Sequence, residues 1–464
     1  KSGAQTEGYL SQCGSVTVRV VVKGKPHTLH LFVKRENAKE VVDGLDAFHR
    51  EGLFYEKVLP HLEEAWHNVQ AANGVSTAGV SSFPPAPPAC RLAPTVTALR
   101  RPVLQDAESG EDTRVGVAAF LGTDTVVVME DLTRRGYVAI SDWEWNDIPY
   151  QTVEQSLHAL ARLHASTLVA ERIFGVNLAA EVPELMDENF FTRVPGRVGR
   201  RIFESASEVW VRYVLPRVFS RLRVPQTADE LRRLQDVVRD MYAQLDVPTL
   251  RKRETVRVVS NGDVWPNNVL VKHDAQGRVS HAIVVDFQMV HLGPPALDVL
   301  MYLLMTMRRS HRQRHADALL RDYHTSLLRF CRQRGLDLSE ASVSANDEEQ
   351  PSDSEDRSRT SSVLVAPMAV PHEFGWEAFK ASCERVEPAA RCIMGSHGPM
   401  IRGCKSDMDE LFKDSEKRSA ILLDADYRGA LVVRWMEADP AYRELIIETL
   451  EVLLGLPASA SAEQ

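Results

Sequence analysis

Residues 261–288 constrain this chain more than any other stretch. They read Asn261-Gly262-Asp263-Val264-Trp265-Pro266-Asn267-Asn268, an apolar run over 269–272, Asp274-Ala275-Gln276-Gly277, a second run over 279–285, and then Asp286-Phe287-Gln288. Two β-branched runs around an Asp/Gly-type turn predict a β-hairpin. A hairpin returns to its starting point, so the residue before its first strand and the residue after its second become neighbours. Asn268 and Asp286 hold those two places. An amide oxygen and a carboxylate brought together suit a magnesium ion. Asp263, in an Asp-x-x-x-x-Asn spacing with Asn268, is then placed to orient or deprotonate an attacking hydroxyl. The spacing alone occurs by chance in many chains. Joined to the hairpin and the second carboxylate, it points to phosphoryl transfer from ATP.

The rest of the chain agrees with an enzyme of ordinary solubility. It has 464 residues, 44% hydrophobic and 26% charged, enough for two lobes. A net charge of −9 disfavours a nucleic-acid surface. No apolar run reaches the roughly 18 residues that would suggest a membrane-spanning helix. Residues 1–6 are polar and carry no signal-peptide core. The six cysteines, Cys13, Cys90, Cys331, Cys383, Cys392 and Cys404, include no Cys-x-x-Cys pair. They read as reduced thiols of a cytoplasmic protein. No obligate protein partner is evident.

Along the chain, residues 15–22 and 28–34 alternate around a turn at 23–26 and predict a hairpin. Residues 45–64 predict an amphipathic helix interrupted by Pro60. Residues 71–88 are rich in Gly, Ser and Pro and read as a loop. An apolar strand over 125–129 runs into Glu130-Asp131-Leu132, which reads as a hinge. Residues 150–170 predict a strong helix, with further helices between 181 and 250, at 295–307, at 315–334 and over 409–456. Residues 337–362 are Ser-, Asp- and Glu-rich with almost no large apolar side chain, and predict a disordered insert. The implied class is α+β, with a small β-rich N-terminal lobe over 1–131 and a large α-helical C-terminal lobe over 132–464.

Several residues outside the hairpin carry candidate roles. Lys34 ends an apolar strand and can reach ATP phosphates from the roof of a cleft, although a strand-end lysine is often just solvated. Glu51, on the next helix, is its candidate carboxylate partner, with Glu40 and Glu56 as alternatives. Gly8 and Gly14, read as lying before the first strand, would let backbone N–H groups approach phosphates, as would a plain turn. Backbone groups of Glu130 and Leu132 are placed to pair with an adenine edge. Asp298 lies in an apolar helix and needs a partner, which the loop backbone would supply. His164 reads as a core histidine. His311 and His315 have the i,i+4 spacing of some zinc ligands, but the arginines around them favour a solvated basic face.

Taken together, these stretches resemble the ecdysteroid kinase-like family of the aminoglycoside phosphotransferase and choline kinase superfamily. The likeness rests on Phe32-Val33-Lys34, Arg50-Glu51 with Phe54-Tyr55-Glu56-Lys57, Met129-Glu130-Asp131-Leu132, and Leu160-Ala161-Arg162-Leu163-His164-Ala165. It continues through Gly262-Asp263, Asn267-Asn268, Val285-Asp286-Phe287-Gln288 and Gly293-Pro294-Pro295-Ala296-Leu297-Asp298. The resemblance implies a bilobal protein kinase-like fold and transfer of the ATP γ-phosphoryl group to a small-molecule hydroxyl. It implies Asp263 as catalytic base, Asn268 and Asp286 as Mg2+ ligands, and Lys34 with Glu51 as the phosphate-positioning pair. Where the family usually has His, this chain has Asn261, expected to brace the loop. The acceptor implied is an ecdysteroid-like steroid or a related alcohol.

Three other readings compete. Choline or ethanolamine as acceptor would need an acidic or aromatic cage. A pseudokinase binding module is the second, with Asn261 in its favour. A protein kinase is opposed by the short stretch 287–297 between Asp286 and Asp298, which leaves no room for a peptide-docking segment.

Overall fold

In a computed structural model of the chain, the described residues are 6–7, 11–22, 25–36, 46–67, 115–117, 119–122, 126–140, 148–186, 190–338, 374–411 and 414–458. The expectations for Gly8, Glu40, the 71–88 loop, Cys90 and residues 339–362 lie outside them.

The N-terminal part is built on one antiparallel sheet. Its strands are β1 (Thr6–Glu7), β2 (Ser11–Val22), β3 (Lys25–Glu36), β4 (Ala119–Gly122) and β5 (Val126–Glu130), in the order β1-β2-β3-β5-β4. The Val-rich alternation of β2, matched by Leu29, Leu31 and Val33 of β3, drives their pairing. That pairing runs further than the sequence suggests. Lys25 and Pro26, expected in the turn, belong to β3 and face Val22 and Val21. Gly14 likewise lies inside β2, opposite Val33, rather than ahead of the first strand. The register sets Lys34 opposite Cys13 on one side and Val127 on the other.

Two helices follow, α1 (Ala47–Leu53) and α2 (Leu59–His67), joined by a π-helical turn over Phe54–Val58. The interruption expected at Pro60 takes the form of this wider turn. The proline has no N–H to give the carbonyl four residues back, and the chain absorbs this by widening one turn. The Leu59 N–H reaches back five residues to the Phe54 carbonyl.

The remainder is mostly helical. Its helices are α3 (Tyr150–Arg172), α4 (Leu178–Glu181), α5 (Val198–Glu208), α6 (Leu215–Val218), α7 (Ala228–Gln244), α8 (Val247–Arg253), α9 (Pro295–Thr306), α10 (Arg309–Arg332), α11 (Trp376–Ile401), α12 (Lys405–Leu411), α13 (Ser415–Leu423), α14 (Ala425–Ala438) and α15 (Pro440–Leu454). α3 is the spine: it has no Gly or Pro, buries most of its length, and packs on α2, α10 and α9. α11 was not expected, since Pro388, Gly395, Gly398 and Pro399 break the helical pattern in its sequence. Packing on α9, α15 and α5 overrides that weak propensity. Gly395 is needed there, because a Cβ would sit 2.7 Å from the Tyr242 hydroxyl.

Two small antiparallel sheets interrupt the helices. β6 (Tyr137–Ala139), β8 (Val269–His273) and β9 (Val279–Val284) pair in the order β6-β8-β9, and β7 (Val258–Ser260) pairs with β10 (His291–Gly293). Asp337 and Leu338 are not part of a free insert. Asp337 pairs with Arg332 at 3.1 Å, and Leu338 is buried. His311 is buried too, in edge contact with His315, and neighbouring Arg308 and Arg309 pair with Glu448 and Glu451 of α15. The expected solvated basic face is a packed helix junction.

Candidate active site

The site forms where β3, α1 and the β7–β10 segment meet. Residue Val269 faces Val284 across the β8–β9 hairpin, and the Val285 N–H donates to the Asn268 carbonyl at 2.9 Å. That one bond closes the hairpin base and sets Asn268 beside Asp286. Asp286 itself has a left-handed backbone, φ 61°, which a non-glycine residue adopts only when its surroundings hold it there.

Asn261 helps to hold it. Its side-chain amide donates to the carbonyls of Val285 (3.2 Å) and Asp286 (2.9 Å), and its amide oxygen accepts the Asp263 N–H at 3.1 Å. Its own backbone N–H donates to Asp298 Oδ2 (2.8 Å), and Gly262 N–H donates to Asp298 Oδ1 (3.1 Å). Asp298 is thus a buried carboxylate satisfied by two loop amides. His164 stands behind it, with Nε2 3.4 Å from Asp298 Oδ2 and Nδ1 2.6 Å from the Tyr323 hydroxyl. Gly262 is obligatory: φ is +79°, and a Cβ would lie 2.4 Å from the Met289 carbonyl oxygen.

Lys34 is buried and forms two ion pairs. Its Nζ lies 2.8 Å from Glu51 Oε2 and 2.8 Å from Asp286 Oδ1. Glu51 is therefore the lysine's partner on α1, while its rival Glu56 is exposed. Burial pulls the Lys34 pKa down, and the charges of Asp286 and Glu51 more than reverse this, leaving it raised. For Glu51 burial raises the pKa and the Lys34 charge opposes it.

Arg50 is a site residue with no role assigned from the sequence. Its guanidinium is buried and donates twice to the Val290 carbonyl, at 2.7 and 3.2 Å, and once to the Glu184 carbonyl at 3.1 Å. It ties α1 to the segment after Asp286, so the helix carrying Glu51 and the loop carrying Asp286 are fixed together. Phe54 and Phe287 stack at 3.6 Å beside the same junction.

Asp263 is half-buried. Asn268 Nδ2 donates to its carbonyl at 2.8 Å and to its Oδ2 at 3.1 Å. Burial, with the Asp286 charge, raises its carboxyl pKa to about 7, against the pull of hydrogen bonds from Asn268 and Trp265. Two carboxylates held this close disfavour their common ionisation unless a cation sits with them. The donors present are hard oxygens: the Asp286 carboxylate and the Asn268 amide oxygen. Among the described residues no three His, Cys, Asp or Glu side chains form a metal cage. A pair of oxygen donors without a full cage fits Mg2+, which keeps waters and phosphate oxygens in its shell.

Glu130 ends β5 opposite Leu31, and the Asp131 N–H donates to the His30 carbonyl at 3.0 Å. The Asp131 side chain caps the short 3-10 turn Leu132–Arg135. The Glu130 side chain is engaged by Arg135, so a ligand would meet the backbone there rather than the carboxylate. Leu132 is buried.

Beside Asp263 opens a large cavity that the sequence did not disclose. Its empty volume is about 1070 Å³, counting the space open to solvent. Gly262, Asp263 and Trp265 form one wall; Phe190, Phe191, Met289, Met305 and Ile393 are among the apolar residues of the others. α11, α13 and α14 complete it with Met400, Ile401, Ile421 and Leu422 and with the polar His397, Arg418 and Arg428. Among the described residues Asp263 is the sole carboxylate in this lining. One signal could have pointed to Arg428: it occupies the i position of an apolar stripe with Leu431, Val432, Trp435 and Met436.

The sequence model of the family described as "Ecdysteroid kinase-like family" matches residues 5–336. Among solved structures, a choline kinase from Cryptosporidium parvum Iowa II is similar at 10% identity and TM-score 0.40, covering 98% of this chain and 92% of that one. A Plasmodium vivax ethanolamine kinase is similar at 11% identity and TM-score 0.35, covering 92% of this chain and 80% of that one. Likenesses this distant carry no argument about the acceptor. Among curated proteins none matches the chain. The fold is α+β and kinase-like, a small β-rich N-terminal lobe joined to a large helical one, and the chain belongs to the ecdysteroid kinase-like family.

Proposed function

We propose that this protein is an ATP- and Mg2+-dependent kinase that phosphorylates a hydroxyl of a large apolar alcohol, of which an ecdysteroid-like steroid is the leading example. The observation that carries this reading is the position of Asp263. It lies between the Lys34–Glu51–Asp286 charge cluster and the apolar cavity. A hydroxyl entering that cavity meets a carboxylate on the side that faces the phosphate-positioning groups.

In this reading the lobe boundary falls at Asp131, and ATP lies between the lobes with its adenine edge at the Glu130–Leu132 backbone. Lys34, held by Glu51, steadies the phosphates. Asn268 and Asp286 would hold Mg2+, which supplies neutralisation of phosphate charge. Asp263 orients the acceptor hydroxyl and takes its proton as the acceptor oxygen bonds to the γ-phosphorus and the bond to the ADP oxygen breaks. Asn261, Asp298 and His164 keep the loop in place. Arg50 keeps α1 in register with it. The apolar walls exclude water, which would otherwise compete as acceptor.

The charge of the cavity separates this reading from a choline or ethanolamine kinase. A cationic acceptor needs carboxylates or a cage of aromatic faces. Among the described residues this cavity offers one carboxylate, reserved here for catalysis, and two arginines, whose charge opposes a cation even with the rings of Phe190, Phe191 and Trp265 in its lining. The intact set Lys34, Asp263, Asn268 and Asp286 likewise favours an active enzyme over a pseudokinase. We place the reaction in the cytoplasm, which suits the free thiols of Cys331, Cys383, Cys392 and Cys404. Among the described residues no helix is long and apolar enough to cross a membrane.

The test is mass spectrometry of a hydroxylated panel with Mg-ATP: ecdysteroids, other sterols, choline, ethanolamine, sugars and aminoglycosides, with Asp263→Ala as control. A single phosphoryl gain on a sterol, lost in the control, is expected. Gain on choline alone would overturn the acceptor class. No gain on any compound, together with no binding of Mg-ATP, would overturn the kinase.

A further inference from the structure

One wall of the acceptor cavity is unlike the others. α11, α13 and α14 bring His397, Arg418 and Arg428 to an otherwise apolar surface. Arg428 is 2% exposed. Its Nη2 donates to the Ser396 carbonyl, while its Nη1 is buried with no hydrogen-bond partner among the described residues. Among the described residues no carboxylate pairs with it; the groups that act on its charge are the Tyr242 and Tyr442 phenols. A guanidinium has five N–H donors, and burying it without a counter-charge is costly. If it served only to tie α14 to the Ser396 carbonyl, one neutral donor would suffice.

His397 follows Ser396 directly. Its Nδ1 lies 3.0 Å from the Ile393 carbonyl. A carbonyl only accepts, so Nδ1 carries the proton and Nε2 is the nitrogen left for the cavity. The rings of Phe190 and Phe203 flank the imidazole. Burial and the Arg428 charge hold its pKa down to about 4, so it is neutral beside a cation.

We propose that Arg428, with His397 beside it, forms an anion-accepting subsite in this cavity, so that the favoured acceptor is a large apolar alcohol that also carries an anionic group, such as a carboxylate, apart from the hydroxyl that is phosphorylated. This rests on the reading of the cavity as the acceptor site. An anion there supplies the missing counter-charge to Arg428. The same cation disfavours a cationic acceptor.

The experiment is calorimetric binding to the full chain without ATP. The ligands are matched pairs: lithocholate and its methyl ester, and 12-hydroxydodecanoate and its methyl ester. Within each pair apolar body and hydroxyl are the same and only the charge differs. The acid is expected to bind at least tenfold tighter than its ester. Arg428→Met should erase that preference by weakening the acid to the level of its ester, and Arg428→Lys should retain part of it. His397, followed by its imidazole resonances and assigned with His397→Gln, should titrate at higher pH with the acid bound and not with the ester. The wild-type comparison stands even if the Arg428 variants fail to fold. Equal affinity for acid and ester, or binding of none of the four, overturns the subsite. Acid-selective binding, with no phosphoryl transfer to any compound of the panel and no binding of Mg-ATP, would leave the subsite standing and overturn the kinase reading.

Discussion

The two sides of Asp263 are built on opposite principles. On one side, charged groups are locked to one another: Lys34 to Glu51 and Asp286, Asn261 to the Val285 and Asp286 carbonyls, Asp298 to two loop amides. On the other, the cavity is walled by side chains drawn from many separate segments between Phe190 and Arg428, most of them apolar and interchangeable by size. Hydrogen bonds and ion pairs demand particular atoms at particular distances, so the charged side tolerates few residue types. Apolar walls demand only volume and water exclusion. A family can therefore keep its phosphate chemistry while its acceptor changes. The two sides should also respond differently to substitution, the first by loss of chemistry and stability, the second by a change of acceptor.

The sharpest break should come at Asp263. In the proposed reading Asp263→Asn removes the proton acceptor and keeps the shape. Turnover is expected to fall by roughly 10²–10⁴, the usual contribution of a general base. The melting temperature should not fall, because a carboxyl with pKa raised to about 7 is already disfavoured as an anion in this site. Unchanged turnover would remove Asp263 from the reaction. Lys34→Met comes next. It leaves the fully buried Glu51 beside Asp286 without its cation, and breaking such a pair costs about 3–5 kcal/mol. The double variant Lys34→Met with Glu51→Gln should recover most of that loss in urea melts and none of the activity. Recovery of activity as well would mean that the pair is structural only.

This contrast also explains what could be read in the sequence. The hairpin, Asn268 and Asp286 were legible because their geometry follows from local turn chemistry and strand period. Lys34 and Glu51 were legible as a pair only once the loop had given them a purpose, and the structure separates Glu51 from Glu56 by burial. α11 drew no expectation for one reason: its Pro and Gly weaken a local helix signal, and only tertiary packing, absent from a local window, restores it. The cavity was not legible at all. Phe190, Trp265, Met305 and Ile393 are far apart in sequence, and each alone is an ordinary core residue. Arg50 was hidden similarly, since its partners are the backbone carbonyls of Val290 and Glu184, and carbonyls carry no sequence signal.

His397 tests whether the polar wall belongs to the fold or to the ligand. Its pKa, lowered to about 4 by burial and the Arg428 charge, lies below the ordinary histidine value of 6.5. The unfolded chain therefore takes up a proton before the folded one does. The neutral imidazole contributes its full share of stability above about pH 6.5, and that share is lost as pH falls toward 4. The gap corresponds to about 3 kcal/mol at most. Urea melts between pH 7 and pH 4.5 should show a loss of this order that His397→Gln lacks. An identical pH slope in the variant would mean that the imidazole is solvated, with no electrostatic link to Arg428.

The smallest effect, and the most selective, is expected at the cavity mouth. Ile401 lies at the end of α11, lines the cavity and is only partly buried, so a larger side chain there fills space without breaking the core. Ile401→Trp should raise the acceptor KM about tenfold, near 1.4 kcal/mol, and leave the ATP KM and the melting temperature unchanged. The effect should grow with acceptor size, so a short alcohol such as 1-butanol should be turned over equally by both proteins if it is turned over at all. A rise in the ATP KM instead would place the nucleotide, and not the alcohol, in this cavity, and would reverse the assignment of its two sides.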